Sequence, residues 1–184
     1  MTDTLTIPGY KVGTWEVDAT HSEVGFSIRH IMVSKVKGKF ERFNATFVTP
    51  ENPLETKITA SAEVASINTN QADRDGHLRT GDFFDAETYP TIDFVSTGAR
   101  AKGDDFLVDG DLTIKGVTKP VTFTVEFGGF ATDPYGNYKF GATATTKINR
   151  EDFGLTYNAA LETGGVLLGN DVTITIELQA AHQA

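Results

Sequence analysis

The chemistry open to this chain of 184 residues rests on few side chains. It has no Cys, which removes thiol nucleophiles, thiolate metal sites and disulfides together. Its His residues are His21, His30, His77 and His182. The densest reactive run is Arg74-Asp75-Gly76-His77-Leu78, with Asp82 and Asp85 just beyond it. Two chemistries fit that run. Asp75, His77, Asp82 or Asp85 can serve as acid or base on a bound substrate. Arg74 and His77 can instead meet an anionic head group, because a guanidinium matches phosphate and carboxylate oxygens. The plainest alternative is an ion-pair network of Arg74 with Asp73 and Asp75 that only pins a loop. A metal site of Asp75, His77 and Asp82 is disfavoured, since the spacing fits no standard ligand pattern. No nucleophile elbow, P-loop, zincin or dinucleotide pattern occurs. The expectation is therefore a binding protein with no catalytic residue, no metal and no cofactor.

Strands must position these groups, because the dominant signal is alternation with period two. Val24, Phe26 and Ile28 alternate with polar or small residues, as do Ile58, Ala60, Ala62 and Val64, and Val172, Ile174, Ile176 and Leu178. Strands are expected at 14–18, 22–31, 35–48, 57–66, 91–99, 105–115, 119–128, 138–148 and 171–179. The apolar phase slips near Glu41-Arg42, which predicts a β-bulge in a long strand. Such a set closes best as an all-β fold, an antiparallel barrel of eight strands without open edges. Two connections are long, 67–90 and 149–170. The first predicts one short helix over 71–80 with Asn70 as N-cap. Counting strand directions puts both long connections at one end, with the turns 32–34 and 116–118. The turns 19–21, 49–56, 100–104 and 129–137 then close the other end, and the mouth lies under the long loops.

The inward phase mixes large and small residues. Phe26, Ile28, Phe40, Phe43, Phe94, Leu112, Phe123 and Phe140 share it with Ala60, Ala62 and Ala142, and also with Gly38, Ala45, Gly110 and Ala144. Small residues on most walls fill a barrel poorly, and an empty void is costly. A long apolar ligand along these side chains removes that cost. The alternative is a packed barrel, an interaction module in which Phe rings fill the gaps left by Ala and Gly. At the mouth, His30, Arg74, His77 and Arg150 are candidates for a polar head group, or for structural roles in the loops. Lys35, Lys37 and Lys39 alternate on the outer face, which suits a solvated wall or a partner stripe.

A formal net charge of −9 and a pI near 4.8 argue against nucleic acid and against stable membrane docking. No leader pattern precedes Val12 and no apolar run is long enough to span a bilayer, so a cytoplasmic location is expected. Residues 1–12 read as an N-terminal extension and 13–180 as one barrel domain.

Taken together, certain segments resemble the YceI-like family. They include Trp15-Glu16-Val17-Asp18 with His21-Ser22, Val24 to His30, Val36-Lys37-Gly38-Lys39-Phe40 and Arg74 to Leu78. Asp82-Phe83-Phe84-Asp85, Gly110 to Pro120 and Arg150-Glu151-Asp152-Phe153-Gly154-Leu155 complete the set. Gly13-Thr14-Trp15 is also similar to the first strand of lipocalins. The resemblance implies a lipocalin-like barrel that binds, carries or sequesters a polyisoprenoid such as a prenyl pyrophosphate or a quinone-like lipid. Many family members look exported, and a homodimer is compatible with the resemblance. An enzyme acting on such a lipid remains the alternative.

Overall fold

The computed structural model describes residues 5–31, 33–158 and 168–184. The strands are β1 Gly13–Val17, β2 Glu23–His30, β3 Ser34–Phe40, β4 Phe43–Thr49, β5 Lys57–Glu63 and β6 Ile67–Asn68. They continue with β7 Thr91–Lys102, β8 Asp105–Ile114, β9 Val117–Thr132, β10 Tyr138–Asn149 and β11 Leu168–His182. One α-helix, α1, spans Ala72–Leu78. Every pairing is antiparallel, and the order β1-β4-β5-β7-β8-β9-β10-β11 returns to β1, which closes an eight-stranded barrel. The remaining strands lengthen three walls: β2 continues β1, β3 continues β4, and β6 continues β5.

Two expectations are corrected here. Residues 19–21 are not a hairpin turn, because β1 and β2 both pair with β11 and form one kinked wall. The kink is a single 3-10 turn, Ala19–His21, capped by the Asp18 carboxylate, which accepts from the Thr20 N–H. His21 therefore sits midway along a wall rather than at a closed end. The stretch 35–48 is interrupted at Glu41-Arg42, where the inward phase passes from Phe40 to Phe43. This is the predicted slip, realised as a break. The direction count survives both changes. The chain leaves β2, β6, β8 and β10 at the mouth end; Met32 and residues 159–167 of the expected second long loop lie outside the described set.

The helix is shorter than expected and its cap is Gln71, whose side chain accepts from the Arg74 N–H at 2.7 Å. Asn70 is excluded from that role because the Asn68 side-chain oxygen Oδ1 accepts its N–H at 2.8 Å and holds it left-handed, with φ 63°. At the 115–116 turn, Lys115 and Gly116 both have positive φ, 51° and 75°, as the tightest hairpin turns require.

The floor is built on Trp15, which is fully buried among Phe47, Phe130, Tyr138 and Phe140 and donates to Thr49 Oγ1 at 2.9 Å. Residues 5–12 lie across this end. Tyr10 donates its hydroxyl to the Pro50 carbonyl, Tyr138 donates to the Gly9 carbonyl, and Thr49 donates to the Lys11 carbonyl at 2.8 Å. Nearer the mouth, Phe40, Ala62 and Ile67 pack beneath Leu78 and Phe84, and Leu112, Ile114, Ile148, Phe153 and Leu155 form a second patch.

Candidate functional site

Between floor and mouth lies a cavity of about 520 Å³. All the expected apolar positions line it except Ala142. Phe26, Ile28, Phe40, Phe43, Ala60, Ala62, Phe94, Leu112, Phe123 and Phe140 face the space. Ala142 lies opposite Leu178 and Phe127, and these longer side chains reach the cavity in its place. The glycines differ from expectation. Gly38 lies under the Phe26 ring and Gly110 under the Phe94 ring, so these two positions accommodate rings rather than leave space. Room comes instead from alanines, of which Ala45, Ala60, Ala62 and Ala144 line the cavity.

The mouth candidates are brought together. His30, Arg74, His77 and Arg150 all line the cavity. Arg74 forms no ion pair with Asp73 or Asp75. It donates through Nε to Thr69 Oγ1 at 2.8 Å and through Nη2 to the Thr69 carbonyl at 2.7 Å. Thr69 in turn donates its N–H and hydroxyl to buried Asp75, at 2.9 and 2.5 Å. Asp75 is thereby committed to Thr69, and among the described residues no group of His, Asp and Glu stands close enough to hold a metal ion. His77 contacts Asp82 at 2.8 Å and packs edge-on against Phe83 and Tyr157, forming an aromatic rim.

Arg150 is the most constrained of the four. Asn149 caps the turn that carries it, accepting from the Glu151 N–H at 3.0 Å. Its guanidinium is only 2% exposed. Nε donates to the Gly169 carbonyl at 2.9 Å, and Nη1 donates to the carbonyls of Leu155 and Tyr157 at 2.6 and 2.8 Å. Nη2 is buried and has no partner among the described residues. Burial pushes this guanidinium below its ordinary pKa, and the Glu151 charge opposes the shift only in part. A buried donor without an acceptor is expensive, and a buried charge more so. Arg150 therefore brings a buried cationic N–H, unpartnered among the described residues, to the lining of an apolar cavity.

Several lining residues were not anticipated. Ile7, Tyr10, Pro53, Leu54 and Thr56 close the floor, while Leu78, Phe83, Phe84, Leu155 and Tyr157 roof the mouth. The apolar pairs Ile7/Tyr10 and Phe83/Phe84 were the available signals, each in a segment without period two.

Closed wall, roofed mouth and apolar interior define a hollow lipocalin-like barrel. The chain belongs to the YceI-like family: the model described as a YceI-like domain matches residues 15–180. A UPF0312 protein of Staphylococcus aureus (strain MSSA476) is 45% identical over 157 residues, covering 84% of this chain and 90% of the relative. The crystal structure of Burkholderia cenocepacia BcnA superposes with a TM-score of 0.77 at 25% identity, covering 89% of this chain and 98% of that one. A polyisoprenoid binding domain from Saccharophagus degradans, implicated in plant cell wall breakdown, shares the fold with a TM-score of 0.72 at 17% identity, over 94% and 100% of the two chains. No helix among the described residues is long and apolar enough to cross a membrane.

Proposed function

We propose that this protein binds a long apolar molecule and carries or sequesters it, without turnover. The chain of the ligand lies along Phe26, Phe40, Phe94, Phe123 and Phe140. Its polar end sits at the mouth beside His30, Arg74, His77 and Arg150. The observation that carries this reading is the cavity itself, about 520 Å³ of apolar space with the buried Arg150 short of an acceptor among the described residues. A barrel that kept this space empty would forfeit packing and leave Nη2 unsatisfied. The family and the polyisoprenoid-binding neighbour support a polyisoprenoid cargo. The uncompensated charge of Arg150 favours a prenyl pyrophosphate over a neutral quinone, because only an anion offsets its burial. The acid–base alternative is weakened by the geometry, since Asp75 is spent on Thr69 and the Asp82 partner of His77 is exposed.

The test is solvent extraction of purified protein followed by mass spectrometry, with thermal melting of stripped protein against added lipids. A ligand at 100 times its Kd adds about 2.7 kcal/mol, a rise of roughly 5–11 °C. Arg150→Met should abolish the preference for a phosphate-ended over an alcohol-ended prenyl chain. If no lipid co-purifies and no prenyl lipid raises the melting temperature, the reading is wrong.

A further inference from the structure

The hairpin of β2 and β3 stands at the mouth and carries a run of cations uninterrupted by any carboxylate. No Asp or Glu occurs between Glu23 and Glu41, whereas Arg29, Lys35, Lys37 and Lys39 all do, in a chain of net charge −9. All four cations are exposed, and none forms an ion pair among the described residues. Arg29 lies directly opposite Lys35 in the ladder. Like charges in that position destabilise a strand pair, so the arrangement costs stability unless an outside anion offsets it.

The tip of the same hairpin is apolar. Ile31 is 39% exposed and Val33 77%, and the sequence places Met32 between them. At the rim of the mouth, Tyr157 is 37% exposed. A strand rises about 3.4 Å per residue, so Arg29 and Lys35 lie roughly 7 Å behind Val33 and Lys37 roughly 13 Å. Charges are screened over about 8 Å at physiological ionic strength. A surface touched by the tip therefore feels Arg29 and Lys35 and little of the negative charge spread along the barrel. The 69–90 connection, which leaves β6 beside β3, exposes Asp73, Asp82 and Glu87, so an anionic surface is favoured at the hairpin tip and not along that connection. The net charge of the chain opposes tight docking; the local charge of the hairpin favours a reversible one.

We propose that the β2–β3 hairpin docks the mouth on a bilayer containing anionic lipid, with Ile31 and Val33 among the head groups and Arg29 and Lys35 on their phosphates. Docking stands on the hairpin alone. Its use, transfer of an apolar chain between bilayer and cavity, rests on the proposed function. Charge complementarity selects this occupant. A second copy of the chain, adding its own β3 along the edge left open between Ser34 and Gly38, would set lysines against lysines.

The experiment is co-sedimentation of purified protein with vesicles of phosphatidylcholine alone and with 30% phosphatidylglycerol, at low and high salt. The protein should bind the phosphatidylglycerol vesicles, release at high salt and ignore the neutral ones. Each cation at the surface is worth roughly five-fold in partitioning, so Arg29→Gln with Lys35→Gln should cost on the order of 25-fold. Val33→Asp should lose most binding. Val95→Asp, at an equally solvated valine on the outer wall (52% exposed), should change nothing. Melting curves establish that each variant is folded. Equal binding to both vesicle types, wild-type binding by Val33→Asp, or an equal loss in Val95→Asp overturns the proposal. So does a salt-stable dimer that Val33→Asp dissolves, which assigns the tip to a second copy. Lipid retention by the variants is read separately, so a filled cavity with no docking, or docking with an empty cavity, tells the two readings apart.

Discussion

Ala60→Phe separates a hollow barrel from a packed one by the sign of its effect. Ala60 is on β5 with an inward side chain, yet it is only half-buried, because the space before it is cavity. Its ladder neighbours are Ala45 and Phe94. A Phe at this position projects its ring into the void. Full burial of a Phe is worth up to about 3 kcal/mol. A ring with a wall on one side and cavity on the other collects about half, roughly 1.5 kcal/mol. For a chain of this size that raises the melting temperature of the stripped protein by roughly 3–6 °C. The same ring occupies the path of the ligand, and a loss of 1.4 kcal/mol of chain contact is already about tenfold in affinity. Melting of stripped protein and lipid retention by mass spectrometry are the two measurements. Ala180→Phe is the matched control. Ala180 is fully buried in the cluster with Trp15 and Phe47 and does not line the cavity, so overpacking there should cost about 1–3 kcal/mol. If Ala60→Phe melts lower than wild type and still retains lipid, the cavity argument is refuted.

Three further outcomes are expected. Lys139 bridges Asp18 at 2.6 Å and Asp133 at 3.2 Å. Asp18 is held at about 2 chiefly by Lys139 and then by His21, and Asp133 at about 2 chiefly by the Asn137 N–H. Depressed carboxylates stabilise the fold above their ordinary range and stop doing so as pH falls through about 2, so the urea midpoint should drop between pH 5 and pH 2. Lys139→Met should shallow that drop, and an unchanged profile would exclude the bridge as its source. Gly110→Ala should destabilise by about 1–3 kcal/mol, because its Cβ meets the Phe94 ring and lies 2.7 Å from the Val95 carbonyl oxygen. Gly141→Ala, whose Cβ meets only one atom at 3.8 Å, should cost far less, and equal costs in urea titrations would count against this account. Arg150→Lys should lower stability by about 1–3 kcal/mol even without ligand, because an ammonium cannot reach the carbonyls of Leu155, Tyr157 and Gly169 together. A wild-type urea midpoint would show that the fork pins nothing.

The barrel was legible because period-two alternation survives in single strands, and a buried face leaves no other place for Phe26, Ile28 or Leu112. The kink at Ala19–His21 was misread because Asp18-Ala19-Thr20 carries the same residues as a hairpin turn. Only the shared partner β11 tells the two apart, and pairing is a long-range fact. The roles of Gly38 and Gly110 were misjudged for a related reason: which ring lies over which glycine depends on the neighbouring strand. The mouth residues were found by type and parity. That Arg150 keeps a buried donor with no partner among the described residues follows from three carbonyls at residues 155, 157 and 169, whose positions no local pattern encodes. The floor was missed altogether, since residues 5–12 carry no periodicity.

That floor has a consequence for cargo. The family match starts at residue 15, so Ile7 and Tyr10, which stop the cavity at its far end, come from outside the matched barrel. Without them the far end is closed only by the Trp15 ring cluster and by Pro53, Leu54 and Thr56. The depth available to a ligand is then set in part by a short tail tied down at Pro50, Thr49 and Tyr138. A tail of this kind works as an adjustable stop. Lengthening, trimming or swapping it changes the longest chain the barrel accepts, while every strand, and the mouth through which the chain enters, stays as it is.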